Sequence, residues 1–155
     1  MPAQAIRLVV VDDHDIMRQG LVRLLQHEAD LDVVGLAKNG SQAIALALQE
    51  RPDVILMDIV MDDMGGLEAT REILAELPDS KVIMLTMYEE KAFLQEARAA
   101  GAAGYFLKGS DSAELANTIR VVHQGGTYFS PKLADDEAGP AGDARSAAEP
   151  FQNDD

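Results

Sequence analysis

The sequence predicts an α/β fold, a flavodoxin-like (βα)5 doubly wound parallel sheet with strand order 2-1-3-4-5. Three observations predict it. Short continuous apolar runs recur at Leu8–Val11, Val54–Met57 and Val82–Leu85, and read as strands covered on both faces. Between them, apolar residues repeat at helical spacing. The two patterns alternate five times. That alternation implies parallel strands layered between helices, and right-handed crossovers leave only a few doubly wound orders.

The first strand, Leu8–Val11, runs into Asp12 and Asp13. Ile16, Leu21, Leu24 and Leu25 mark the first helix. Asp32–Ala37 is expected as a second, shorter strand. Asn39 is placed as an N-cap with Gln42 three residues on, opening a helix through Glu50. Pro52 stops that helix and leads into Val54–Met57, which closes on Asp58. The loop Ile59–Gly66 carries adjacent glycines, Gly65 and Gly66, expected to supply backbone freedom for tight turns. Leu67, Thr70, Ile73, Leu74 and Leu77 give the third helix, ended by Pro78. Val82–Leu85 closes on Thr86. The Ala-rich segment Glu89–Ala100 is the fourth helix, stopped by Gly101. Tyr105–Leu107 closes on Lys108. Asp111 is expected to cap a last helix, with Glu114 third in it and Leu115, Ile119 and Val122 facing inward. Gly125-Gly126 ends it.

With 155 residues, 47% of them apolar, the chain suits one domain with a real core and not general disorder. The absence of cysteine excludes a disulfide frame and a thiolate metal site. The opening Met-Pro-Ala-Gln lacks the basic and apolar regions of a signal peptide, and no apolar run approaches the ~18 residues of a membrane span. A cytoplasmic protein without membrane association is expected. Formal net charge is −14, which makes a poor nucleic-acid binder, because phosphate contacts need clustered Lys and Arg. From Leu133 onward seven acids face one base, Arg145, so that stretch carries −6 of the total. Residues 5–131 are therefore expected to form the folded domain. Residues 132–155, rich in Ala, Gly, Pro and acids, are expected to form a linker or disordered tail.

In a parallel sheet the C-terminal strand ends share one edge, where open α/β sheets keep their chemistry. Here those ends are Asp12-Asp13, Asp58, Thr86 and Lys108. Three carboxylates, a hydroxyl and an ammonium should converge on one cleft. Clustered carboxylates repel, and a cation sustains their ionised form. Oxygen ligands without His or Cys favour a hard ion that keeps several waters, which points to Mg²⁺. A carboxylate beside Mg²⁺ and Lys can attack an activated phosphoryl group to give an aspartyl phosphate. Asp58 is the expected acceptor. Lys108 would neutralise phosphoryl oxygens, and Thr86 could donate a hydrogen bond. His14 reads as a solvated residue of the cap region. Met57, Met61, Met64, Met84 and Met87 read as core filler around the site.

On these residues the chain resembles the response-regulator receiver domain of two-component signalling, from about Arg7 to Pro131. The motifs are Asp12-Asp13 after Leu8–Val11, Asp58 after Val54–Met57, Thr86 after Val82–Leu85, and Gly104-Tyr105-Phe106-Leu107-Lys108. Val11-Asp12-Asp13-His14-Asp15-Ile16-Met17-Arg18 and Gly125-Gly126-Thr127-Tyr128-Phe129-Ser130-Pro131 look like its NarL/FixJ subclass. The resemblance implies that Asp58 takes phosphate from a sensor histidine kinase. It implies that Asp12 and Asp13 help hold Mg²⁺, with the Val60 carbonyl as a further ligand. Lys108 would pair with the acceptor and then with phosphate. Thr86 and Tyr105 would form the switch, the hydroxyl moving toward phosphate while the ring turns inward. Output through the face of helix 4, strand 5 and helix 5 is implied as well. Separately, phosphorylation is expected to shift self-association toward a homodimer, through helices 1 and 5 or through helix 4 and strand 5.

Two departures stand out. Asp62, followed by Asp63, occupies the place where the family usually has Pro, making the loop more acidic and flexible. Met87 follows the switch Thr where a small residue is usual, and its bulk is expected to restrict access of phosphodonor or water. The subclass normally continues into a helix-turn-helix DNA-binding domain. The 24 residues after Pro131 are too few and too polar for one, so DNA would be reached only through an output domain not in this sequence. Two rival readings stay open. One is a degenerate receiver acting as a phosphorylation-independent interaction domain. The other is a haloacid-dehalogenase-like phosphatase, suggested by Asp13-His14-Asp15, although Met17 stands where that family has Thr or Val.

Overall fold

The computed structural model describes residues 5–61, 64–87, 91–108 and 112–129. The chain runs β1 (Ile6–Val11), α1 (Asp15–Leu25), β2 (Leu31–Ala37), α2 (Gly40–Glu50), β3 (Val54–Asp58), α3 (Gly66–Glu76), β4 (Lys81–Thr86), α4 (Lys91–Ala100), β5 (Gly104–Leu107), α5 (Ser112–His123) and β6 (Tyr128–Phe129). All strand pairs are parallel, in the order β2-β1-β3-β4-β5-β6. The flavodoxin-like order 2-1-3-4-5 is therefore present, extended by one short strand at the β5 edge.

Strand alternation sorts the core into two layers. Val9, Val11, Ile55, Met57, Val82, Met84 and Tyr105 pack on one face of the sheet with Ala43 and Ala47 of α2, Ala69 and Ile73 of α3, and Leu94 and Ala97 of α4. Leu8, Val10, Val54, Leu56, Ile83, Leu85 and Phe106 pack on the other with Leu25 of α1 and Leu115, Ile119 and Val122 of α5. The central strands are continuous apolar runs because both of their faces are covered.

Local chemistry sets the element ends. Asn39 caps α2 by accepting the Gln42 N–H at 2.8 Å, and the Gln42 side chain returns to accept the Lys38 N–H at 3.1 Å. Arg51 closes α2 in the left-handed conformation, φ 49°, just before Pro52. Gly101 and Gly125 take the left-handed conformation after α4 and α5, with φ of 101° and 100°. At each of these ends two N–H groups turn back onto helix carbonyls. They run from Gly101 and Ala102 to Arg98 and Ala97, and from Gly125 and Gly126 to Val122 and Val121.

Three expectations need correction. The strand beginning near Asp32 is not short: β2 starts at Leu31 and, with seven residues, is the longest in the sheet. It lies at an edge, so Asp32 and Leu36 are exposed and the apolar run that marks a central strand is absent. Ile16 does not belong to the inward face of α1. It is 86% exposed, because nine residues separate it from buried Leu25, half a turn around the helix at 3.6 residues per turn. The third correction is β6, two residues long and too short to show any periodicity. It pairs Gly104 with Tyr128 and Tyr105 with Phe129. Arg98 of α4 stacks 4.0 Å from the centre of the Phe129 ring and holds that edge.

Asp62 and Asp63, the helix start expected at Glu89, the cap expected at Asp111, and the acidic segment after Phe129 lie outside the described residues. Among the described residues, no helix is long and apolar enough to cross a membrane.

Candidate functional site

Strand register builds the site. Val11 pairs with Met57, so Asp12 and Asp58 follow side by side at the ends of β1 and β3. Asp58 pairs with Leu85, and Thr86 with Leu107, which puts Thr86 and Lys108 on the same edge. Backbone bonds continue past the strands and hold these residues in place. Asp12 N–H donates to Ala37 at 3.1 Å, Ile59 N–H to Leu85 at 3.2 Å, and Lys108 N–H to Thr86 at 2.8 Å.

Lys108 Nζ lies 3.1 Å from Asp12 Oδ2 and 3.3 Å from Asp58 Oδ2. Asp12, Asp58 and Thr86 are all buried. Among the described residues, one nearly buried ammonium thus faces two buried carboxylates, with a third, Asp13, beside them. Burial pushes the Asp58 carboxyl up, Lys108 pulls it down, and the Asp12 and Asp13 carboxylates push it up further, to about 6. The site is short of positive charge.

Asp13 and His14 lie where the chain turns into α1. His14 N–H donates to Asp12 Oδ1 at 2.9 Å, and its Nδ1 stands 3.0 Å from Asp13 Oδ1 and 3.4 Å from Asp12 Oδ1. Arg18 fixes this turn by donating to the Asp12 carbonyl at 2.7 Å while pairing with Asp15 at 2.6 Å, which lowers the Asp15 carboxyl. One ligand atom from each of Asp12, Asp13, His14 and Asp58 falls within 4.8 Å of the others. Three carboxylates at this spacing, with a surplus of negative charge, suit a hard divalent cation.

The other expected residues are placed as follows. Val60 opens the loop two residues after Asp58, with its side chain half exposed. Tyr105 is fully buried, its ring within the core layer that holds Met57 and Met84. Met61 and Met64 pack against that layer, as filler should. Met87 does not: it is 64% exposed, so the bulk expected beside the site points largely into solvent.

The glycine pair also acts differently from expectation. Neither residue takes positive φ, so turn freedom is not their use. Gly66 is demanded by close approach, since a Cβ there would collide with the Asp58 carbonyl oxygen. Its N–H donates to the Ile59 carbonyl at 2.9 Å, which ties the start of α3 to the end of the acceptor strand. His14, expected as a solvated residue of the cap region, is indeed at the N-cap and exposed, but its ring turns toward the acids, and Arg18, to which the sequence reading gave no role, braces the same turn. Their only signal was position, immediately after the acidic pair and one helical turn on.

The model of the response regulator receiver domain matches residues 8–120. The chain is 46% identical over 129 residues to response regulator GacA of Pseudomonas viridiflava, covering 83% of this chain and 60% of that protein. It is 42% identical over 129 residues to transcriptional regulatory protein LiaR of Bacillus subtilis, covering 83% and 61%. It thus spans about three fifths of the curated relatives it matches. A LuxR-family two-component response regulator from an Aurantimonas species superposes with TM-score 0.83 at 36% identity, over 87% of this chain and 96% of that one. The receiver domain of the putative response regulator NarL from Mycobacterium tuberculosis gives TM-score 0.76 at 34% identity, over 79% and 99%. With its three acids, its threonine and its lysine at the strand ends of this fold, the chain belongs to the receiver domains of two-component response regulators.

Proposed function

We propose that residues 5–131 form a phosphorylation-activated receiver whose acceptor is Asp58 and whose donor is the phosphohistidine of a sensor histidine kinase. The observation that carries the reading is Lys108 Nζ between Asp12 Oδ2 and Asp58 Oδ2, at 3.1 and 3.3 Å. An Asp58 oxygen attacks phosphorus, the P–N bond breaks, and its electron pair leaves with the donor imidazole. Asp12, Asp13, Asp58 and the Val60 carbonyl would hold Mg²⁺, which when bound neutralises charge on the transferring group. Lys108 exchanges its contact with the free carboxylate for one with the phosphoryl oxygens. Thr86, buried at the end of β4, donates its hydroxyl to phosphate, and Tyr105 moves with it as the switch.

The role is signalling, with catalysis confined to the domain's own phosphorylation and dephosphorylation. Switching promotes a homodimer and, in the full-length regulator, transcriptional output through a DNA-binding domain joined by the acidic segment 132–155. The protein acts in the cytoplasm. The test is incubation with acetyl phosphate and Mg²⁺ followed by intact-mass measurement. One added phosphoryl group is expected, absent without Mg²⁺ and absent in Asp58→Ala. Labelling that persists in Asp58→Ala would place the acceptor elsewhere.

A further inference from the structure

His14 is the one member of the cluster that the Mg²⁺ reading leaves idle. It occupies the N-cap position of α1, yet its side chain makes no capping bond there. Instead the imidazole turns toward the acids, with Nδ1 3.0 Å from Asp13 Oδ1 and 3.4 Å from Asp12 Oδ1. Its backbone N–H fixes Asp12 Oδ1 at 2.9 Å, so ring and carboxylate are tied to one turn of chain. Its donor atom lies within 4.8 Å of those of Asp12, Asp13 and Asp58. The side chain is 73% exposed, so burial does not hold the ring in place and it can adjust to an ion.

We propose that His14 sets the metal selectivity of this site by adding a nitrogen ligand to the carboxylates. The proposal rests on the reading of the acidic cluster as a divalent-cation site. Carboxylates alone suit Mg²⁺, which gains little from imidazole. Borderline cations such as Co²⁺ and Ni²⁺ bind imidazole strongly. Ligation through Nδ1 needs the tautomer protonated on Nε2, which an exposed ring reaches by proton exchange with water. The site would therefore take Mg²⁺ through oxygen and hold Co²⁺ more tightly through the added nitrogen.

Calorimetric titration of the unphosphorylated protein at neutral pH, with Mg²⁺ and with Co²⁺, tests this alongside the visible spectrum of the Co²⁺ form. His14→Ala should weaken Co²⁺ on the order of tenfold, leave Mg²⁺ within about twofold, and shift the Co²⁺ absorption bands. Asp58→Asn should weaken both ions, which separates this site from Co²⁺ held by His27 or His123. Equal weakening of both ions in His14→Ala would make His14 a positioning residue for Asp13 and overturn the proposal. No change for either ion would overturn it too. Mg²⁺ binding by the parent without selectivity at His14 sinks this inference alone, whereas a parent that binds neither ion sinks the cation-site reading with it.

Discussion

The ammonium of Lys108 and the carboxylate of Asp58 meet at 3.3 Å although 50 residues separate them, and both side chains are nearly out of water. Asp12, 3.1 Å from the same nitrogen, makes the contact a shared one. A single cation between two buried anions gives the site its character, held together yet under-neutralised.

Removing that cation should therefore be severe. Lys108→Met leaves Asp12 and Asp58 buried without their shared partner, and breaking a buried pair from one side costs about 3–5 kcal/mol. Urea denaturation at neutral pH checks the loss. Carboxyl NMR titration should show Asp58 above its present value of about 6.

The raised Asp58 carboxyl also sets a pH dependence. Its folded value of about 6 exceeds the ordinary 3.8, so between these values the folded state binds more protons than the unfolded one. Stability attributable to Asp58 is thus greatest in acid and falls as pH rises through about 4 to 6. In metal-free buffer, Asp58→Asn should gain on the parent over this window by on the order of 3 kcal/mol, then run parallel above it. Denaturation curves at several pH values check the sign. A parent that gained on the variant with rising pH would contradict the burial argument.

Supplying the missing positive charge should stabilise the fold. At 100 times its dissociation constant, Mg²⁺ should add about 2.7 kcal/mol, on the order of 10 °C in melting temperature for a domain of this size. Chelation should reverse the gain, and Asp13→Asn should greatly reduce it. Thermal melts with and without Mg²⁺ read the effect.

The two adjacent glycines should respond unequally. Gly66→Ala forces a Cβ into the Asp58 carbonyl and should cost about 2–4 kcal/mol. At Gly65 the nearest atom to an added Cβ is the Ile59 oxygen at 3.6 Å, so Gly65→Ala should cost about 1 kcal/mol or less. Chemical denaturation of the two variants under one condition is the comparison.

The central strands, the helices between them and the acids at their ends were legible in sequence, because burial on both faces leaves continuous apolar runs and an acid at the end of such a run is conspicuous. The parallel order of the strands followed from that alternation, and with it the gathering of Asp12, Asp58, Thr86 and Lys108 at one edge. Other features depend on what lies across space. The length of β2 and the existence of β6 come from pairing with β1 and β5, and edge strands carry no two-faced apolar signature. Ile16 looked like a core residue until the actual span of α1 turned it outward. Gly66 is required by the Asp58 carbonyl beneath it, a contact that no local pattern encodes. The charge balance of the site is likewise tertiary. Sequence alone supplied the charged groups, and only the packing of strand ends placed one ammonium between two buried carboxylates and turned His14 toward them. Local residue type determines which chemistry is available. Distances and desolvation, which arise only when distant strands are packed together, decide which groups act on one another.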